Sequence, residues 1–366
     1  MLKIIKNTAI VIVTIAAIYF SVVFPQTIGT AVNNALNRCL TVIIPSMFIF
    51  LCITTFISKS NIHSIIGIPF KFISEKIFRI PKEGFAVFLL SMISGYPAGI
   101  KLINDNFVQG NITAPQAKAM SSFCFFSGPA FITGTAAAFL YPDSNAGLLI
   151  FLACLSGNFI TMFVFTRKLP KLINTSSIKQ SIVPNQLIPS VKLASSAMVQ
   201  MCIMIVAFGG FISILEISGI INVVSVYTES ILNLPKDTIK SIILSFLEIS
   251  NIINLPSMQP QLLPIVSFLI SFGGICVHMQ ISALADSNFS FKHFFTARLF
   301  SASVSAITAY FFIPFLNIEV PCSVSFKAVS QSNYSPLPSI LLLIMMIMLM
   351  ETFSKGKSDC SKENLI

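Results

Sequence analysis

The chain has 366 residues, of which 55% are hydrophobic and 10% charged, with a mean hydropathy of +0.86. A soluble domain carries about 25% charged residues, so this composition excludes a soluble globular protein and makes an all-α polytopic membrane protein the expectation. The net charge of +10 reads as topology, because Lys and Arg collect in cytoplasmic loops, and no nucleic-acid partner is expected.

In chain order, Lys3 and Lys6 precede an apolar run over 8–24. That is the build of a signal peptide, but no clear A-x-A site follows, and a retained membrane helix within 1–29 is the better reading. Further apolar runs lie at about 36–57, 120–140, 145–166, 190–216, 260–284, 295–316 and 337–353, giving about eight spans. Two more, at about 84–108 and 239–256, are interrupted at their centres. Residues 62–80 place Ile62, Ile65, Ile66, Phe70, Ile73 and Ile77 on one stripe, with Lys71, Glu75 and Arg79 facing away, as in a helix lying in the membrane interface. Residues 218–232 repeat the pattern with Ile220, Val224, Tyr227 and Ile231.

With a cytoplasmic N-terminus, and with the two interrupted runs entering and leaving on one side, 19 of the 23 Lys and Arg residues fall inside, Arg298 among them. If those runs crossed instead, Lys118 and the cluster Arg167–Lys192 would face outward, against the positive-inside rule. The runs are therefore expected to be re-entrant hairpins, with both termini cytoplasmic. Residues 84–94 span about 16 Å as helix, too short for a core of about 30 Å.

The order span, interfacial helix, hairpin, broken span, span occurs twice. The expected organisation is 1–29, an N-terminal helix; 30–166, a first repeat; 167–189, a basic cytoplasmic loop; 190–316, a second repeat; 317–336, an external loop; and 337–366, a last span and tail. Three crossings per repeat invert the second copy, a plan found in secondary transporters with a midplane site.

The first interruption reads SGYPAGIKL over 94–102. Gly95, Pro97 and Gly99 free backbone groups at membrane depth, which is tolerated only against protein or a wet cavity. The helix beginning near Ala98 offers unpaired amides to an anion, next to Tyr96, and Lys101 stands in its first turn. Two other readings stay open: Gly95-x-x-x-Gly99 as a helix-packing motif, and Lys101 snorkelling to the interface beside Asp105. Ser127-Gly128-Pro129 and Gly273-Gly274 break two further runs, and His278 and Gln280 follow the second break. Glu248, Ser250 and Asn251 occupy the second hairpin tip. Glu248, an acid at depth, is a candidate for a coupling proton or sodium ion, or for a structural pair with Lys101; His278 is a ligand donor or a packing histidine. The substrate class these residues suggest is a small anion.

Eight cysteines include no C-x-x-C, and H-E-x-x-H, P-loop and G-x-S-x-G motifs are missing. No enzyme, metal or cofactor is expected.

Four segments, SGYPAGIKL (94–102), SFCFFSGPAFITG (122–134), SFGGICVHMQISALA (271–285) and FKHFFTARL (291–299), resemble the YlbJ-type sporulation integral membrane proteins, which carry nucleoside-recognition Gate domains. The resemblance covers about 30–320. It implies a fold similar to concentrative nucleoside transporters, with dimers or trimers as options. It also implies a part in spore formation, where such proteins are associated with moving dipicolinic acid across the outer forespore membrane. A nucleoside-type carrier and a non-transporting scaffold or sensor are the alternatives. The chain departs from the expected pattern in carrying Phe125-Phe126 before Ser-Gly-Pro, and Glu248-Ile249-Ser250-Asn251-Ile252 where Glu-x-Thr-x-Gly is expected. The phenylalanines either stack on a solute ring or pack the core.

Overall fold

A computed structural model describes residues 2–315 apart from 97, 142–143, 171–182, 184, 233, 257–258 and 286–288. The expected loop over 317–336, the last span over 337–353, most of the basic loop and Pro97 lie outside the described residues. Those described form helices and connecting loops, with no strand among them.

Helix α1 (Leu2–Val23) gives way to α2 (Pro25–Arg38) at Pro25, which starts a helix readily because its missing N–H needs no partner there. A wider turn over Cys39–Ile43 carries α2 into α3 (Ile44–Lys59), making one apolar helix of 35 residues. Next come α4 (Lys82–Ser94), α5 (Ala98–Val108), α6 (Ala114–Met120) and α7 (Ser144–Thr166). The second half holds α8 (Leu187–Ile217), α9 (Ile220–Leu232), α10 (Lys236–Leu247), α11 (Leu263–Phe272), α12 (Gly274–Leu284) and α13 (Phe291–Phe312).

Five helices among the described residues are long and apolar enough to cross a membrane: Pro25–Lys59, Asn145–Thr166, Leu187–Ile217, Pro260–Leu284 and Phe291–Phe315. The expected run over 120–140 is not one helix. It unwinds over 121–128 and becomes helical again from Pro129.

Two tight contacts hold the long helices together. A Cβ added at Gly157 would lie 2.5 Å from the Ser301 carbonyl oxygen, so α7 and α13 meet backbone to backbone. At Gly209 it would lie 2.7 Å from Ala35 Cβ, where α8 crosses α2. Small residues permit such approaches, and dispersion rather than water exclusion drives them in lipid. The stripe predicted over 218–232 faces outward, with Ile220, Val224, Tyr227 and Ile231 all exposed. Residues 62–80 form short helical pieces rather than one helix, because Gly67 and Pro69 interrupt them; Ile65, Ile68, Phe72, Ile73 and Ile77 are exposed there. Exposed apolar stripes of this kind suit a lipid surface.

The chain reverses at both interrupted runs. Eight further residues of helix would carry Gly99 about 12 Å beyond Ser91, yet a Cβ at Gly99 would lie 3.1 Å from that of Ser91. The turn is made at Gly95, whose φ of 75° is in the left-handed region that favours glycine. In the second run Ser241 Oγ donates to the Asn254 carbonyl at 3.1 Å, returning the segment Ile249–Asn254 along α10.

Candidate functional site

Each reversal lies against a helix break. Gly95 packs on Gly128, where a Cβ at Gly95 would lie 3.5 Å from the Gly128 nitrogen, and Gly128 itself has φ 48°. Gly99 packs so closely on the unwound segment that a Cβ would overlap the Cys124 carbonyl oxygen. On the other side Gly274 (φ 77°) faces the Ile249 nitrogen, 3.1 Å from its would-be Cβ. Gly273 (φ 88°) leaves room for the rings of Phe125 and Tyr96.

Between the two sets lies a small cavity lined by Tyr96, Ser127, Glu248, Ser250 and Gln280 together with apolar residues including Met47 and Val277. Tyr96 Oη and Ser127 Oγ are buried there as neighbours, short of a well-formed hydrogen bond, and Gln280 Oε1 is buried without a hydrogen-bond partner. The carboxylate of Glu248, only 2% exposed, accepts from the Ser250 backbone N–H at 3.1 Å and from the Ser250 hydroxyl. Gln280 Nε2 donates to Cys276 Sγ at 3.5 Å. The cavity measures about 20 Å³, room for about one water, whereas small-molecule sites occupy about 300 Å³ or more. The arrangement is a closed one. A separate groove of about 500 Å³, lined by Val224, Ile242, Phe246, Pro264 and Phe268, offers no polar side chain to orient a solute.

Other residues anticipated from the sequence lie nearby but do not line the cavity. Asn251 Nδ2 donates to the Glu248 carbonyl at 3.1 Å and braces the tip. His278 Nδ1 donates to the Gly274 carbonyl at 2.8 Å, and its ring stacks on Phe272 at 4.4 Å. Lys101 is half-buried away from the cavity; its Nζ is 3.4 Å from the Leu193 carbonyl, and the neighbouring Asp105 pairs with Lys59 at 3.6 Å. The two halves of the site thus bring Glu248 to Tyr96 and Ser127, not to Lys101.

The structure adds two residues that reading the sequence left out. Arg298, counted among the loop charges, is fully buried. Its Nη1 donates to the Phe125 carbonyl at 3.2 Å and its Nη2 to that of Ser122. Asn158 Nδ2 donates to the same Phe125 carbonyl at 3.0 Å, and its Oδ1 accepts from Ser301 Oγ at 3.3 Å. These donors satisfy the carbonyls that unwinding sets free at depth. No carboxylate pairs with Arg298 among the described residues. Burying such a charge costs several kcal/mol. Two carbonyl bonds at about 1.5–3 kcal/mol each, and the Phe125 ring 4.9 Å from the guanidinium at up to about 2 kcal/mol, are of the size needed to offset it. The available signals were a lone Asn inside an apolar run (LSGNFIT) and an Arg flanked by apolar residues (TARLF).

No family model and no solved structure matches the chain. The sporulation integral membrane protein YlbJ of Bacillus subtilis (strain 168) is 27% identical over 313 residues, 77% of each chain. That likeness runs across the reversals and breaks described above, and it supports assigning the chain to the YlbJ type of sporulation integral membrane proteins.

Proposed function

We propose that the chain is a carrier for a small planar aromatic carboxylate, dipicolinic acid foremost, acting at the outer forespore membrane during sporulation. The observation that carries this reading is the convergence of two chain reversals and two helix breaks on one buried polar cavity. A scaffold has no need of polar groups and unwound backbone at that depth, whereas a carrier binds there. The pairing of each reversal with the break of its own half, Gly95 with Gly128 and Ile249 with Gly274, supports an inverted repeat and re-entrant hairpins. On this reading the chain has about eight spans and cytoplasmic termini, it is not an enzyme, and a homo-oligomer is one option. Glu248 is the residue offered to a coupling proton or sodium ion.

The neutral lining of Tyr96, Ser127 and Gln280, with Lys101 outside, also favours a second reading, a nucleoside-type carrier. Uptake of labelled dipicolinate by proteoliposomes, with and without competing nucleosides, decides. Saturable uptake that nucleosides leave unchanged upholds the first reading, uptake of nucleosides instead upholds the second, and no uptake of either removes both.

A further inference from the structure

This inference rests on the carrier reading and concerns the aromatic cluster that adjoins the cavity through Tyr96. The Phe125 ring stacks on Tyr96, with centroids 4.6 Å apart and planes at 23°. The Arg298 guanidinium lies 4.9 Å over it, and the His278 ring is 6.0 Å away. All three neighbours are buried, and each keeps one polar atom without a well-formed hydrogen bond: Tyr96 Oη, Arg298 Nε and His278 Nε2. Buried polar groups are almost always hydrogen-bonded, and a benzyl ring, though it faces the guanidinium, gives none of these atoms a hydrogen bond. Arg298 Nε–H and Tyr96 Oη–H are donors that oxygen atoms on a ring would satisfy, while His278 Nε2, an acceptor because Nδ1–H goes to the Gly274 carbonyl, would take a hydrogen bond from a donor on it.

We propose that Phe125 holds the place of the solute's ring in the closed state, and that Arg298 is the cation that receives the solute's carboxylate. Phe125 stands in the non-helical stretch 121–128, so its backbone can move without breaking a helix. On binding, the solute ring takes Phe125's position on Tyr96. The guanidinium exchanges the Ser122 and Phe125 carbonyls for a carboxylate, which a planar fork of donors fits in two parallel bonds. A planar aromatic carboxylate meets both demands; an aliphatic acid lacks the ring, and a nucleoside lacks the charge.

The chain contains no tryptophan, so Phe125→Trp places a single reporter indole in the stack. Reconstituted protein titrated with dipicolinate should show a saturable change in indole emission, and adding Arg298→Lys should raise the half-saturating concentration at least tenfold. Unchanged emission, while the unmodified chain takes up dipicolinate, overturns the inference and leaves the carrier reading standing. A response that Arg298→Lys does not weaken overturns the role given to Arg298. A saturable, Arg298-dependent response without any uptake upholds the site and overturns the carrier reading instead. Neither response nor uptake overturns both. If Phe125→Trp is not recovered folded, calorimetry with dipicolinate on the unmodified chain and on Arg298→Lys decides, and equal affinities or no binding overturn the inference.

Discussion

The two reversals solve one problem by different means. At the first, the carbonyls freed over 121–128 are satisfied by donors far away in the chain, Asn158 on α7 and Arg298 on α13. At the second, the tip is held locally: Ser250 bonds to Glu248, and Asn251 to the Glu248 carbonyl. The first depends on the assembled bundle, while the second carries its own support. A tip that braces itself can keep its shape while the bundle rearranges around it.

The largest effect that would test this contrast is expected from Arg298→Ala. It strands the Ser122 carbonyl and weakens the hold on that of Phe125, at about 1–3 kcal/mol per unsatisfied group. Thermal unfolding in detergent should show a loss of about 3–4 kcal/mol. A smaller loss than at the second tip would reverse the comparison.

Gly99→Ala comes next. Its methyl meets backbone, the Cys124 carbonyl, which cannot move aside cheaply, and about 2–3 kcal/mol is expected by the same assay. Gly274→Ala, with φ 77° and 3.1 Å to the Ile249 nitrogen, should cost about 1–2 kcal/mol from the left-handed backbone alone.

Ser250→Ala removes one bond to the Glu248 carboxylate but keeps the one from the backbone. A loss of about 1.5 kcal/mol is expected, together with a changed pH dependence of flux if Glu248 carries the coupling proton. Loss as large as for Arg298→Ala would show that the second tip is not self-supporting.

Outside the spans, burial holds the His63 imidazole below its ordinary value of 6.5. The folded state therefore binds fewer protons there than the unfolded one. Its contribution to stability is full above pH 6.5 and is lost as the pH falls toward the depressed folded value. His63→Gln should flatten the acid limb of a stability–pH profile. A limb of unchanged slope would assign that loss to other groups.

Lys101→Ala should have the smallest effect. Its contacts are one long carbonyl bond and a partly exposed charge cluster, worth about 1 kcal/mol or less, and dipicolinate uptake should stay within about twofold. A tenfold fall would return Lys101 to the site.

Glycine and proline made the reversals and breaks legible, because Gly95, Gly128, Gly273 and Gly274 all adopt positive φ, where other residues are strained. Tyr96, Ser127, Glu248, Ser250 and Gln280 could be named from their types and their nearness to those breaks, and the fold brings them to one cavity. Arg298 could not be placed the same way. Counting positive charges assigns an arginine near a helix start to the cytoplasm, and no local pattern tells how deep that helix begins. Asn158 was hidden for a related reason, since its partners lie 33 and 143 residues away and only tertiary packing brings them together.

The long reach of Arg298 also bears on how the protein is made. The Ser122 carbonyl leaves the ribosome 176 residues ahead of the guanidinium that satisfies it. At about 5–20 residues per second that wait is on the order of ten to thirty seconds. Asn158 is available to the Phe125 carbonyl after only 33 residues, so it is the Ser122 carbonyl that waits longest for its donor. The contacts around the unwound segment 121–128 are thus complete only after α13 has been synthesised.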